Sequence, residues 1–217
     1  MAQEIVVNTT LKHVSAIAMA VVLGASAATS AEAADSGYFV GADLGTAHFP
    51  ERNITLDLPS DTLTSRNQKR SDLAWGLNTG YFFSRYFGWE LAYRDFGATS
   101  APLAGTSATS SGKAKLESHG VTLGFVGTIP FGNWEASWKA GYLFAHANLS
   151  ANASLADGPF LYQTRARSEK PYAALGLGYN FNEHWNTGVQ VGRYQVGADT
   201  TGKVNLLTAT LAATYRF

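Results

Sequence analysis

Eight segments of the sequence carry bulky apolar residues at alternate positions, and this pattern constrains the fold more than any other feature. Side chains on an extended strand point alternately to opposite faces, so each segment predicts a strand with one apolar and one small or polar face. The segments have the length that a tilted strand needs to cross a bilayer, about 10 residues. The alternating positions span residues 38–44, 73–83, 87–93, 121–129, 134–144, 175–181, 185–191 and 207–217.

The connections between these segments alternate between short and long. The short ones are residues 84–86, 130–133 and 182–184, the long polar ones are 50–71, 97–114 and 147–168, and a fourth, shorter loop spans about 195–202. Short turns on one side of a membrane and long loops on the other are typical of outer-membrane barrels. A water-soluble sandwich would need many Lys and Glu on its outer face, which this sequence does not offer. The sequence therefore predicts an all-β fold, an eight-stranded antiparallel up-and-down transmembrane β-barrel.

The N-terminal residues 1–33 are predicted to be a signal peptide, and residues 34–217 the barrel domain. Lys12 and His13 precede an uncharged run rich in Ala, Val, Ile and Leu, and Ala31 and Ala33 give the small-x-small pattern of a cleavage site. An uncleaved N-terminal membrane anchor is the alternative interpretation. Either way, we expect export from the cytoplasm.

The composition excludes several classes of function. Sixteen Lys and Arg are matched by 16 Asp and Glu, whereas nucleic-acid binding needs a basic surface. The chain has no cysteine, which excludes disulfides and thiolate metal sites. A mean hydropathy of −0.07 is compatible with a membrane barrel, because the polar half of each strand offsets the apolar half.

Several motifs resemble those of a known family. The segment 80–97, GYFFSRYFGWELAYRDFG, and the run KAGY at 139–142 are similar to the barrel of the OmpA/OmpX-like superfamily of small outer-membrane proteins. Leu211, Tyr215 and Phe217 in the final strand resemble the C-terminal signal that the outer-membrane assembly machinery recognises. The resemblance covers the barrel only, so we expect no periplasmic peptidoglycan-binding domain. It implies a location in the bacterial outer membrane.

The predicted inward face collects charged residues of both signs. An eight-stranded barrel is filled by side chains, and buried charges must be paired, so we interpret these residues as a structural ion-pair network. The alternative is a gated, small-conductance path for small solutes whose selectivity the charges set. The predicted lumen charge network comprises Asp43, Glu90, Arg94, Glu135, Lys139 and Arg216.

No catalytic, cofactor or metal site is predicted. His48, His119 and His146 share the outward face, but His48 is expected across the barrel from the other two. Ser118, His119 and Glu117 have the right types for hydrolytic chemistry, yet successive strand residues face opposite sides and do not converge. An outer-leaflet lipid A-modifying enzyme is the less favoured alternative.

The sequence predicts a monomeric membrane-structural protein whose extracellular loops bind a partner, since loops on a rigid scaffold carry recognition. An adhesin or immune-evasion factor is an alternative within this class. The other expected partners are outer-membrane lipids and lipopolysaccharide, whose phosphates Arg66, Lys69 and Arg70 are candidates to contact.

Overall fold

Strands make up the regular structure of the described chain. The computed structural model describes residues 36–50, 55–57, 62–65, 70–105, 111–155, 158–196 and 204–217, and the predicted signal peptide lies outside them. Within this part of the chain, no helix is long and apolar enough to cross a membrane. The strands are β1 (Gly37–His48), β2 (Thr55–Asp57), β3 (Thr62–Ser65), β4 (Ser71–Ser84), β5 (Phe87–Gly105), β6 (Ser111–Phe131), β7 (Trp134–Leu155), β8 (Gly158–Asn180), β9 (Trp185–Val196) and β10 (Val204–Arg216).

Eight of these strands close into a ring. Each pairs antiparallel with its neighbour along the chain, and β1 closes the ring by pairing with both β4 and β10. The short strands β2 and β3 form a hairpin that pairs with the far end of β5. The predicted eight-stranded up-and-down barrel is therefore confirmed, with this hairpin as an addition.

The register fixes the tilt of the strands. The register partners of Asp43 can be followed from strand to strand around the barrel in both directions. One direction reaches Ser168 on β8 and the other reaches Gly178 on the same strand. The two end points differ by ten residues, which is the register offset of the closed ring. With ordinary strand spacings this offset gives a tilt of about 41° to the barrel axis. Each residue then advances about 2.5 Å along the axis, and each step to a register partner changes the height by about 3 Å.

The outward face is apolar over the height of a membrane. On β7 the outward residues from Trp134 to Phe144 cover about 25 Å along the axis, the height of a typical lipid-facing band. Aromatic rings contact one another at the end with the short turns, for example Trp134 with Tyr179 at 5.3 Å and Trp185 with Tyr215 at 5.1 Å between ring centroids. This end matches the aromatic belt expected at a membrane interface.

The prediction of long polar loops at 97–114 and 147–168 is wrong over most of their length. Strands β5 to β8 continue far beyond the apolar band, and β7 and β8 stay paired until Leu155 and Gly158. These segments are rich in Ala, Ser, Thr and Gly. They lack the alternating bulky apolar residues from which the other strands were predicted. Within the predicted loop 50–71, Thr55–Asp57 and Thr62–Ser65 are also strands.

A bulge allows β5 to continue past the band. The register with β6 shifts between Asp95 and Ala98, and Gly97 adopts a φ of 72° in the left-handed region. The Gly97 N–H donates to Asp95 Oδ1 at 2.8 Å, and the Ala98 N–H donates to Asp72 Oδ2 at 2.8 Å. The two carboxylates satisfy the backbone donors at this bulge, so the strand resumes beyond it.

Candidate functional site

The six predicted lumen residues form two separate groups inside the barrel. Arg94 Nη1 donates to both carboxylate oxygens of Asp43, at 2.9 and 3.1 Å. Lys139 Nζ donates to Glu90 Oε2 at 2.5 Å, and Arg94 Nη2 lies 3.8 Å from Glu90 Oε1. These four residues define the central network. Its two acids and two bases balance.

The second group lies nearer the end with the short turns. Arg216 Nη2 donates to both carboxylate oxygens of Glu135, at 2.7 and 2.9 Å. The Arg216 guanidinium also lies 4.9 Å from the centroid of the Phe82 ring. We call this the terminal pair, and it is electrically neutral like the central network.

The two groups differ in their exposure to water. Side-chain exposure is 4% for Arg94, 2% for Asp43 and 0% for Glu90, against 28% for Arg216. Arg94 also lies 5.4 Å from the ring centroid of Tyr194, a buried residue. Because a charge far from water depends on its partners, Arg94 needs Asp43 more than Arg216 needs Glu135.

A polar cavity lies between the two groups. It has a volume of about 50 Å³ and is lined by Glu90, Lys139, Glu135, Gln190 and Arg216 among others. Glu90 Oε1 and Gln190 Nε2 are buried and have no hydrogen-bond partner among the described residues. A cavity of this size has room for a few water molecules. The arrangement can hydrate the inner sides of both charged groups.

An apolar layer fills the lumen on the opposite side of the central network from the terminal pair. Phe96 contacts Tyr194 with ring centroids 5.0 Å apart, and Tyr194 stacks on Tyr172 at 5.3 Å. The layer, here called the apolar plug, comprises Ala47, Phe49, Ala74, Phe96, Leu143, Ala145, Ala147, Tyr172, Tyr194, Val196 and Leu206. Sequence analysis missed it, although the inward parity of Phe49, Phe96 and Leu143 was a signal for it.

The predicted histidine candidates are placed as the alternation requires. The rings of His119 and His146 stack with centroids 5.8 Å apart, whereas His48 Nδ1 lies 3.1 Å from Ser71 Oγ on β4. Ser118 is 2% exposed and faces the lumen, away from His119. In the described residues, no group of three His, Cys, Asp or Glu is arranged to hold a metal ion.

The residues of the predicted assembly signal lie on the outward face of β10. Leu211 is 68% exposed, and Phe217 contacts Tyr215 at 5.0 Å between ring centroids. Tyr215 in turn contacts Trp185, which joins β10 to the aromatic belt. Recognition by the assembly machinery remains a prediction.

Charged side chains occupy the outward face beyond the apolar band. Lys115 donates to Glu117 on β6, and this hydrogen bond raises the pKa of the Lys115 amine above its usual value. Of the candidates for lipopolysaccharide contact, Arg66 and Lys69 lie outside the described residues. Arg70 is exposed, and its carbonyl accepts a hydrogen bond from the Phe49 N–H at 2.7 Å.

Comparison with known proteins agrees with this architecture. A family model described as "outer membrane protein beta-barrel domain" matches residues 17–217. No curated protein matched the sequence. The outer membrane protein OprG from Pseudomonas aeruginosa is similar in fold, with 17% identity, a TM-score of 0.52, and coverage of 85% of this chain and 97% of that one.

Two other structures illustrate the range of similar barrels. The outer membrane protease OmpT from Escherichia coli shares 10% identity with a TM-score of 0.54, and the match covers 87% of this chain and 99% of that one. Ail, the attachment invasion locus protein of Yersinia pestis, shares 18% identity with a TM-score of 0.45, covering 83% and 99%. The family match extends over nearly the whole sequence, and the chain therefore belongs to the outer membrane protein beta-barrel domain family and is a protein of the bacterial outer membrane.

Proposed function

We propose that the barrel is a membrane anchor whose extended extracellular sheet binds a macromolecular partner outside the cell. This sheet is defined by the parts of β5 to β8 beyond the apolar band, residues 98–105, 111–117, 148–155 and 158–167. The observation that carries the proposal is the continuous pairing of β7 and β8 from Trp134–Tyr179 to Leu155–Gly158. From His146 to Leu155, β7 rises about 22 Å along the axis.

The paired sheet reduces the entropy lost on binding. A flexible loop must be ordered when a partner binds, whereas a paired strand already holds its side chains in place. The inward face of the sheet is packed with small side chains, since Ala101, Ala114 and Ala151 are 1%, 2% and 1% exposed. The geometry therefore favours recognition by a preformed surface.

The outward face of this sheet offers both apolar and charged contacts. Leu161 is 67% exposed on this face near the tip of β8, and the next residue, Tyr162, is 41% exposed on the opposite face. Lys113 and Arg165 are exposed on β6 and β8. Exposed aromatic and Arg side chains are enriched at protein interfaces, which fits a macromolecular partner.

The experiment trims the sheet without touching the barrel. Asn148 and Arg165 are register partners, so residues 149–164 can be replaced by Asn-Gly, which forms a two-residue hairpin turn. A second variant replaces residues 101–114 by Asn-Gly between the partners Ser100 and Lys115, which removes the β5–β6 half of the same sheet. Gel mobility of unboiled and boiled samples shows whether each variant is folded.

Bacteria that display each variant are then tested for adhesion to cultured epithelial cells and to immobilised extracellular matrix. We expect the intact protein to increase adhesion, and loss of the β7–β8 extension to remove most of the increase. Adhesion that is unchanged by both replacements, in folded barrels, contradicts the proposal.

The lumen gives less support to the channel alternative. The apolar plug lies between the cavity and the extracellular end of the barrel, and a mainly apolar constriction hinders the passage of ions. We expect the intact protein to be silent in planar bilayers. Discrete conductance that changes in Lys139→Gln or Glu90→Gln would favour the channel instead.

A further inference from the structure

One arginine lies on the lipid-facing surface of the barrel. Arg193 is exposed on the outward face of β9, and its register partners are Ala173 on β8 and Leu207 on β10. Two positions closer to the periplasm, Val191 is 51% exposed and pairs with Leu175, which is 69% exposed. Apolar residues therefore surround this cation on the barrel wall.

Arg193 sits below the upper limit of the apolar band. Because the strands are tilted, its partner Leu207 lies about 3 Å further out along the axis, and Leu207 is itself outward-facing. A lipid-facing cation is costly within the hydrocarbon region unless its side chain reaches the headgroups. The flexible Arg side chain can extend upward to that level.

The structure offers Arg193 no acidic partner, since no described carboxylate lies within ion-pair distance of it. The same holds for Arg165 and Arg167, which are exposed on the outward face of β8. By contrast, Lys115 on β6 is paired with Glu117. Arg165, Arg167 and Arg193 therefore place three outward cations on the neighbouring strands β8 and β9.

Arg165, Arg167 and Arg193 lie on neighbouring strands at different heights along the barrel axis. His146 on β7 is the register partner of Arg167, and the outward residues of β7 above it are Asn and Ser. Glu169 is the one carboxylate on the outward face of β8 between Arg167 and Ala173, the register partner of Arg193. We name Arg165, Arg167 and Arg193, with His146, the basic face.

We propose that the basic face binds the phosphorylated headgroup of an outer-leaflet glycolipid of the lipopolysaccharide class. Guanidinium groups bind phosphate in a bidentate manner. The Cα atom of Arg167 lies about 12 Å further out than that of Arg193. A ligand that meets both cations carries negative charge at two depths, which a large phosphorylated sugar headgroup does and a zwitterionic phospholipid does not.

The test compares lipids that differ only in phosphate. The purified barrel, in nanodiscs of phosphatidylcholine, is titrated with bisphosphorylated lipid A and with its dephosphorylated form, and binding is measured by native mass spectrometry. We expect binding of the phosphorylated form only. Arg193→Gln and Arg167→Gln should each weaken it about tenfold, because each removes a charge-assisted hydrogen bond to phosphate.

Lys113→Gln is the matched control, because it removes one outward cation about 20 Å further out than Arg193. It should bind the lipid like the unmodified protein. Equal binding by Arg193→Gln, or equal binding of the dephosphorylated lipid, overturns the proposal. Millimolar inorganic phosphate is added as a competitor. If it binds with the same affinity as the lipid and displaces it, the site binds free phosphate and the proposal is overturned.

Discussion

The central network predicts that the stability of the barrel depends on Asp43 far more than on Glu135. In Asp43→Asn the buried Arg94 loses a two-oxygen partner and keeps only Glu90, 3.8 Å away. Arg94 is also far from water, with 4% side-chain exposure. Removing one member of such a buried pair costs about 3–5 kcal/mol.

Glu135→Gln is the matched variant at the terminal pair. It leaves Arg216 without its carboxylate, but that side chain is 28% exposed and borders the polar cavity. Water can then replace much of the lost interaction, so we expect a cost of about 1 kcal/mol. The two substitutions change the same chemistry in environments that differ mainly in access to water.

The assay is urea unfolding of the barrel in phosphatidylcholine vesicles, followed by tryptophan fluorescence. The double variant Asp43→Asn with Arg94→Gln should lose less unfolding free energy than the two single variants lose together, because it leaves no uncompensated charge. Two results refute the reasoning. The first is a loss of unfolding free energy in Asp43→Asn that is no larger than the loss in Glu135→Gln. The second is a loss in the double variant that equals the sum of the losses in the two single variants.

Three further predictions follow from other parts of the barrel. Gly80→Ala should cost about 1–3 kcal/mol in the same unfolding assay, since a Cβ at Gly80 would clash with the Trp89 carbonyl oxygen and the Phe39 ring, and an unchanged unfolding free energy would contradict this. Phe96→Ala should open the apolar plug and raise ion conductance in planar bilayers above that of the intact protein; continued silence in a folded variant would show that another layer blocks the lumen. Tyr215→Ala should lower the amount of folded barrel in the outer-membrane fraction, while Tyr142→Ala on β7, also outward-facing, should leave it unchanged; equal amounts in both would count against the assembly signal.

The outward face was predictable from sequence because lipid imposes the same demand on every strand. Leu73, Leu123, Leu175 and Leu211 each occupy an alternate position and are exposed in the structure. The requirement does not depend on which strand lies opposite, so periodicity alone identifies these residues. The number of strands and the short turns follow from the same pattern.

The lumen could be predicted only in composition, because its contacts join strands that are not neighbours. Asp43 on β1 meets Arg94 on β5 across β4, and Glu90 on β5 meets Lys139 on β7 across β6. Glu135 on β7 meets Arg216 with β8 and β9 between them. These pairings depend on the offset of ten residues around the ring, which no local pattern in the sequence encodes.

The order of layers in the lumen bears on where this protein can act. The cavity and both charged groups lie on the periplasmic side of the apolar plug, so we expect the plug to hinder solutes outside the cell from reaching them through the barrel. The proposed extracellular partner would then meet the paired ends of β5 to β8, and the proposed glycolipid would meet the outward face. If Phe96→Ala conducts while the intact protein stays silent, the plug is what closes the lumen to ions, and the outer surfaces are the ones left for contact with solutes outside the cell.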